Sequence, residues 1–110
     1  MAVRVFTDAP EKLLSALKQA ITDGVIQTWE IDSDGDLTHT SIQWGGKAWM
    51  RPHLLDDRVV FNIIASKKTS MSKTVYGVYH GRLIQTLLIH FDDKMKTVSA
   101  TALGTVGDNI

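Results

Sequence analysis

The sequence contains no cysteine, which excludes a disulfide framework, a thiolate metal site and a thiol nucleophile and fits a reducing compartment. It has no excess of either charge: twelve Lys and Arg stand against twelve Asp and Glu, for a formal net charge of zero. No overall field therefore draws the chain to a nucleic acid or to an anionic membrane. No uninterrupted run approaches the ~18 apolar residues of a membrane span, and Met1-Ala2-Val3-Arg4 lacks the basic and apolar regions of an export signal. Internal repeats, low-complexity runs and linkers are missing too. These absences lead to the expectation of a cytoplasmic protein outside the membrane.

What is present is ordinary globular material. The chain has 110 residues, 44% hydrophobic and 22% charged, the size of one domain able to bury roughly two thirds of its unfolded surface. The expected organisation is a single α+β domain over residues 1–103 and a loose C-terminal tail over 104–110.

The most informative stretch runs from Tyr76 to Phe91. At about 100° per residue, Tyr76, Gly77, Tyr79, His80, Gly81, Leu83, Ile84, Leu87, Leu88, His90 and Phe91 fill one half of a helical wheel. Val78, Arg82, Gln85, Thr86 and Ile89 take the other half. The apolar half is expected to face a sheet and carries an imidazole in its middle. Ser70 or Ser72 is the expected cap. An earlier helix begins at Asp8-Ala9-Pro10-Glu11, with a carboxylate three residues before a Glu and a Pro in the first turn. It buries Leu13, Leu14, Leu17, Ala20 and Ile21 and stops at Gly24.

Between the helices the period falls to two, with turn residues about every ten positions, as in an antiparallel meander. A first strand carries Val25, Trp29 and Ile31, and Asp34-Gly35 makes a tight turn. A second runs from about Leu37 to Trp44, with Thr38, Thr40, Ile42 and Trp44 on one face and His39, Ser41 and Gln43 on the other. Gly45-Gly46 turns into a third, Lys47 to Leu54, interrupted by Pro52. Asp56-Asp57 turns into a fourth, Arg58 to Ser66, apolar on both faces and so central. Val3-Arg4-Val5-Phe6 alternates briefly, as either a short strand or an anchored arm would, and Thr97 to Leu103 is expected as the last strand. The fold expected is an α+β two-layer sandwich, an antiparallel meander of four to five strands with two helices packed on one face.

Several constellations compete for function. His80, with Tyr76 and Tyr79 as polar neighbours, is a buried-polar or pocket candidate whose desolvated ring could act as an acid or base; the alternative is a core histidine satisfied by a carbonyl. Gly77 and Gly81 cost about 1 kcal/mol each in a helix interior, which implies close backbone contact inside the chain or along a dimer seam. Val78 and Ile89 lie on the polar side and suggest self-association. Trp44, Trp49, Arg51 and His53 surround the Gly45-Gly46 turn and have the composition of a protein-binding hot spot. Lys67, Lys68 and Lys73, with Ser70 and Ser72, surround a helix start and form an anion-binding candidate.

Ser70-Met71-Ser72-Lys73 has the S-x-x-K spacing of serine acyl enzymes but lacks their supporting motifs. Glu30-Ile31-Asp32-Ser33-Asp34-Gly35 resembles a calcium-loop start, yet Ser41 stands where the bidentate Glu belongs. The four histidines have no ligand spacing. No catalytic residue, metal or cofactor is therefore assigned. The sequence is expected to encode a non-catalytic binding protein, a homodimer or one half of an inhibitor or immunity-type pair. Two alternatives are a small enzyme or ligand-binding protein with a pocket at His80, and a module binding single-stranded RNA through the sheet.

Overall fold

The structure is a computed structural model that describes residues 2–109. Six strands and two long helices follow in the order β1 (Ala2–Phe6), α1 (Pro10–Thr22), β2 (Trp29–Ile31), β3 (Leu37–His39), β4 (Ala48–Leu54), β5 (Arg58–Ala65), α2 (Lys73–Phe91) and β6 (Thr97–Ala100), with a 3₁₀ turn at Asp92–Lys94 between the last two. The strands form one antiparallel sheet ordered β2-β3-β4-β5-β1-β6. The expected meander exists as β2 to β5. Two further strands extend it to six, because the short alternating segments at Val3–Phe6 and Thr97–Ala100 pair along β5 and each other rather than standing as arms.

Both helices cover the same face, giving two layers around a single core. Alternation decides which strand residues enter it. Val3, Val5, Val59, Phe61, Ile63, Ala48, Met50 and Leu37 are buried and sit at paired register positions. α1 contributes Leu13 and Leu17, while α2 contributes Val75, Tyr79, Leu83, Leu87 and Phe91. α1 begins where expected, but by a different device: Ala9 has no side-chain cap, Thr7 Oγ1 accepts from the Ala9 amide at 3.2 Å, and Asp8 pairs with Lys96 at 2.8 Å. Gly24, with φ +78°, closes the helix as expected. At α2 the cap is Ser72, whose hydroxyl accepts from Val75 N at 3.0 Å.

Four local differences have physical causes. The strand expected to reach Trp44 stops at His39. The Ser41 hydroxyl accepts from Trp44 N at 3.2 Å and the Ser41 carbonyl from Gly45 N at 2.7 Å, so local bonds replace the ladder and leave Ile42 fully exposed. Val25 lies before β2 and is exposed. Thr86, placed on the outer half of the wheel, is buried because its hydroxyl accepts from Trp29 Nε1 at 3.0 Å and donates to the Arg82 carbonyl at 2.8 Å; Gly77, Gly81, Leu88 and His90, assigned to the inner half, are exposed. The segment expected as a loose tail from Gly104 returns to the sheet, where Asn109 exchanges bonds with Ile63 and Ala65 of β5 just beyond the point where β1 pairing ends at Asn62.

Candidate functional site

Two places gather chemistry, one inside the molecule and one on its surface. The inner one joins α2 to the β2–β3 hairpin. Trp29 and His39 are cross-strand partners with rings stacked at 4.1 Å, and Tyr79 meets His39 edge-on at 4.7 Å. The Tyr79 hydroxyl donates to the Trp44 carbonyl and lies 3.1 Å from Thr38 Oγ1. Thr38 in turn donates to the Ala48 carbonyl at 2.8 Å and accepts from Gly46 N at 3.1 Å. Each hydroxyl is thus satisfied, and the Trp44 turn is tied to α2 through Tyr79.

The two imidazoles are not fully satisfied. His39 is only 2% exposed and His80 4%. His80 Nδ1 lies 2.6 Å from the Tyr76 carbonyl; a carbonyl only accepts, so Nδ1 carries the proton and Nε2 is bare. Nε2 of both rings is buried without a partner among the described residues. Burial, followed by the nearby Arg82 cation, lowers the His39 pKa to about 4, against an opposing interaction with the Thr28 backbone. Burial lowers that of His80 too, against the Tyr76 carbonyl. Tyr76 packs on His80 at 4.2 Å, and burial raises its own pKa. His39 is the residue that sequence reasoning missed: alternation puts it on the face opposite Thr38, with Ser41 and Gln43, but does not say which of the two faces enters the core. The signal was Trp29, which must lie opposite a β3 residue on the same face.

The outer place is the face of the sheet turned away from the helices. By register it carries Phe6 beside Arg58, Arg4 beside Val60, Val60 beside His53, Asn62 beside Arg51, and Ile64 beside Trp49. Phe6, Trp49, Val60 and Ile64 are half-buried, while Arg4, Arg51 and His53 are exposed. Arg51 is held by a forked ion pair to Asp36, with Nη2 to Oδ2 at 2.8 Å and Nε to both carboxylate oxygens at 3.1 and 3.2 Å, which raises its pKa. Arg58 lies 5.3 Å over the Phe6 ring.

Two clefts open on this face. One, of about 430 Å³, is lined by Arg4, Leu55, Arg58, Val60, Asn62, Thr105 and Val106 and has no carboxylate in its wall. The other, of about 510 Å³, brings Trp49, Arg51 and Ile64 together with Lys67 and Lys68 and with Asp32, Asp34 and Asp36. The carboxylates of those three aspartates lie within 4.8 Å of one another. Asp32 Oδ1 accepts from the Asp34 and Asp36 amides, both at 2.9 Å, and Asp36 is neutralised by Arg51, so turn formation and one ion pair account for them.

The residues singled out from sequence therefore separate. Trp49, Arg51 and His53 share the open sheet face, whereas Trp44 lies half-buried on the preceding turn with Lys47 Nζ 5.8 Å from its ring. Lys67 and Lys68 join Trp49, but Lys73 and Ser72 line a separate cleft of about 420 Å³ with Met71, Tyr76 and Leu103, and Ser70 lines neither. Val78 is half-buried and Ile89 exposed on the outside of α2. Gly77 and Gly81 do not mark close approach within the chain: a Cβ added at either meets nothing within 4 Å. Arg4, Arg58 and Phe6 belong to the face and were not singled out: the five-residue β1, which carries Arg4 and Phe6, gives no sign of the sheet position it will take, and Arg58 joins them only because β1 pairs with β5. Against protein-family models, curated proteins and solved structures the chain finds no match.

Proposed function

We propose that this is a non-catalytic cytoplasmic protein that binds a partner protein through the open face of its sheet, as one half of a pair of the inhibitor or immunity type. The observation that carries the reading is the part of this layer that neither the helices nor the C-terminal segment lying over Asn62 covers. Half-buried Trp49 and Ile64 form one apolar patch and half-buried Val60 and Phe6 another, separated by the Arg51–Asn62 pair and flanked by Arg4, Arg58 and His53, and Trp and Arg anchors beside apolar surface are the composition of energetic hot spots. The fork that fixes Arg51 reduces the entropy lost when it is buried against a partner. Catalysis at His80 finds less support, since neither His80 nor His39 lines any of five surface clefts of 400–510 Å³.

The test captures partners from cell extract on the immobilised protein, purifies the candidate and titrates it against wild type, Trp49→Ala and Arg4→Ala. A one-to-one complex weakened at least about thirtyfold by Trp49→Ala, the ~2 kcal/mol of a hot-spot side chain, is the expected result. A partner bound equally by both variants overturns the assignment of the face. Binding of single-stranded RNA that falls with salt and with Arg4→Ala reassigns the face to nucleic acid.

A further inference from the structure

The outside of α2 is built for contact. Its solvent side presents Gly77, Gly81 and Leu88 in a line, flanked by half-buried Val78 and Ile84 and by Ile89; Leu88 is 50% and Ile89 66% exposed. With the buried set on the opposite side, the helix carries apolar residues on two sides, with exposed Thr74, Arg82 and Gln85 as the polar residues of its outer surface, and an outer apolar stripe suits a helix that meets a second partner. Thr74, Gly77, Gly81, Ile84 and Leu88 follow the alternating three- and four-residue spacing of a helix-to-helix seam. The two glycines weaken the helix and serve no packing purpose inside the chain, because a side chain there would meet open space.

The charges at the helix ends are reversed from what a lone helix prefers. The first turn holds no acidic residue and begins with Lys73, and the last turn runs into Asp92 and Asp93. Each end therefore places charge of the wrong sign against the helix dipole. Lys73, Asp92 and Asp93 form no ion pair among the described residues.

We infer that this face binds a second copy of the chain, with the two α2 helices antiparallel about a two-fold axis. One register settles all three anomalies. When Gly81 faces the partner's Ile84, Gly77 faces the partner's Leu88, and Lys73 faces the partner's Asp92. Exposed Leu88 and half-buried Ile84 then each fill a gap left by a glycine, each lysine meets a carboxylate, and each acidic C-terminal end lies beside a positive N-terminal end. The contact is isologous, as a two-fold dimer requires. A 19-residue helix is about 28 Å long, so such a seam covers on the order of 1,000 Å² over both copies, the lower limit for a specific interface. It uses the opposite side of the molecule from the open sheet face and does not rest on the partner reading given for that face.

The cysteine-free sequence supplies a direct test. Gly77→Cys and Leu88→Cys are prepared as separate proteins and oxidised singly and as a mixture. The expected result is a disulfide-linked dimer in the mixture alone, because in the antiparallel register position 77 meets 88 while like positions lie about 16 Å apart. Sedimentation of the wild type across the micromolar to millimolar range should show a monomer–dimer equilibrium. Gly77→Leu, which fills open space and leaves the fold's circular dichroism unchanged, should weaken it at least about a hundredfold. Lys73→Glu and Asp92→Lys should each weaken the dimer, and the double variant should restore it. Trp49→Ala should leave it intact, which separates failure here from failure of the sheet-face reading. A wild type that is monomeric throughout, a dimer indifferent to Gly77→Leu, or cross-linking by either cysteine variant alone overturns the inference.

Discussion

His39 and His80 show what one buried ring does when only part of its hydrogen-bonding capacity is met. An imidazole in the core can keep one nitrogen satisfied and still be costly to protonate, because burial removes the water that would solvate the cation. His39 titrates near 6.5 when unfolded and at about 4 in the fold. Between those values the unfolded chain holds the extra proton, so stability is full above about pH 6.5 and falls as the pH drops toward 4. At about 1.4 kcal/mol for each tenfold change, this ring costs on the order of 3 kcal/mol by pH 4, and the lowered His80 acts in the same direction. Urea denaturation of wild type and His39→Gln at pH 7 and pH 4.5 checks this. The variant should lose much less stability than wild type on acidification, and equal losses would show that His39 is not the source. His80 was legible as a buried ring from helical spacing, whereas His39 was not, since a strand period assigns faces but not which face becomes the core.

At the level of elements, the helices were more legible than the strands. A helix announces itself through a period carried over many residues and through its ends, and Pro10, Gly24 and Ser72 do what such residues do in isolation. The cap gives a clean expectation. Ser72→Ala should cost about 1 kcal/mol by urea denaturation, while Ser70→Ala should cost nothing measurable, since only the Ser72 hydroxyl accepts from the helix. Equal effects would place the helix start elsewhere. β3 was over-extended for the reverse reason: alternation continued from Thr40 to Trp44, but nothing local to that stretch says that Ser41 bonds the Trp44 amide and ends the ladder at His39.

Across the whole molecule, the C-terminal segment and the sheet depend on each other. Asp108 Oδ1 accepts from Asn62 Nδ2 at 3.0 Å and from Ile63 N at 3.1 Å, and Oδ2 accepts from Thr105 N at 2.9 Å. Gly107, at φ +97°, passes so close to the Asn62 side chain that a Cβ would lie 2.8 Å from its oxygen. Removing residues 105–110 exchanges their bonds to the Asn62 side chain and to the Ile63 and Ala65 backbone for bonds to water, at about 0.5–1.5 kcal/mol for each bond lost. The expected outcome is a lowered denaturation midpoint and faster amide exchange at Ala65, measured by NMR. Unchanged exchange there would mean that the segment does not hold the end of β5. A sequence rich in Gly, Asp and Asn reads as a tail because its side chains bury little, yet its stability here comes from backbone and carboxylate bonds to a strand some forty residues away.

The sequence by itself determined the class of fold, both helices, the central place of β5 and the burial of His80, because each depends on local periodicity and on end residues that act within a few positions. The tertiary structure alone decided that β1 and β6 complete a six-stranded sheet, that His39 stacks inside on Trp29, that Gly77 and Gly81 face open space, and that Arg4 and Arg58 share a cleft on the bare face. The sheet, the ring stack and the cleft rest on pairings between residues far apart in the chain, and the open space at the two glycines on where the rest of the chain does not pack; neither leaves a periodic trace in the segments concerned.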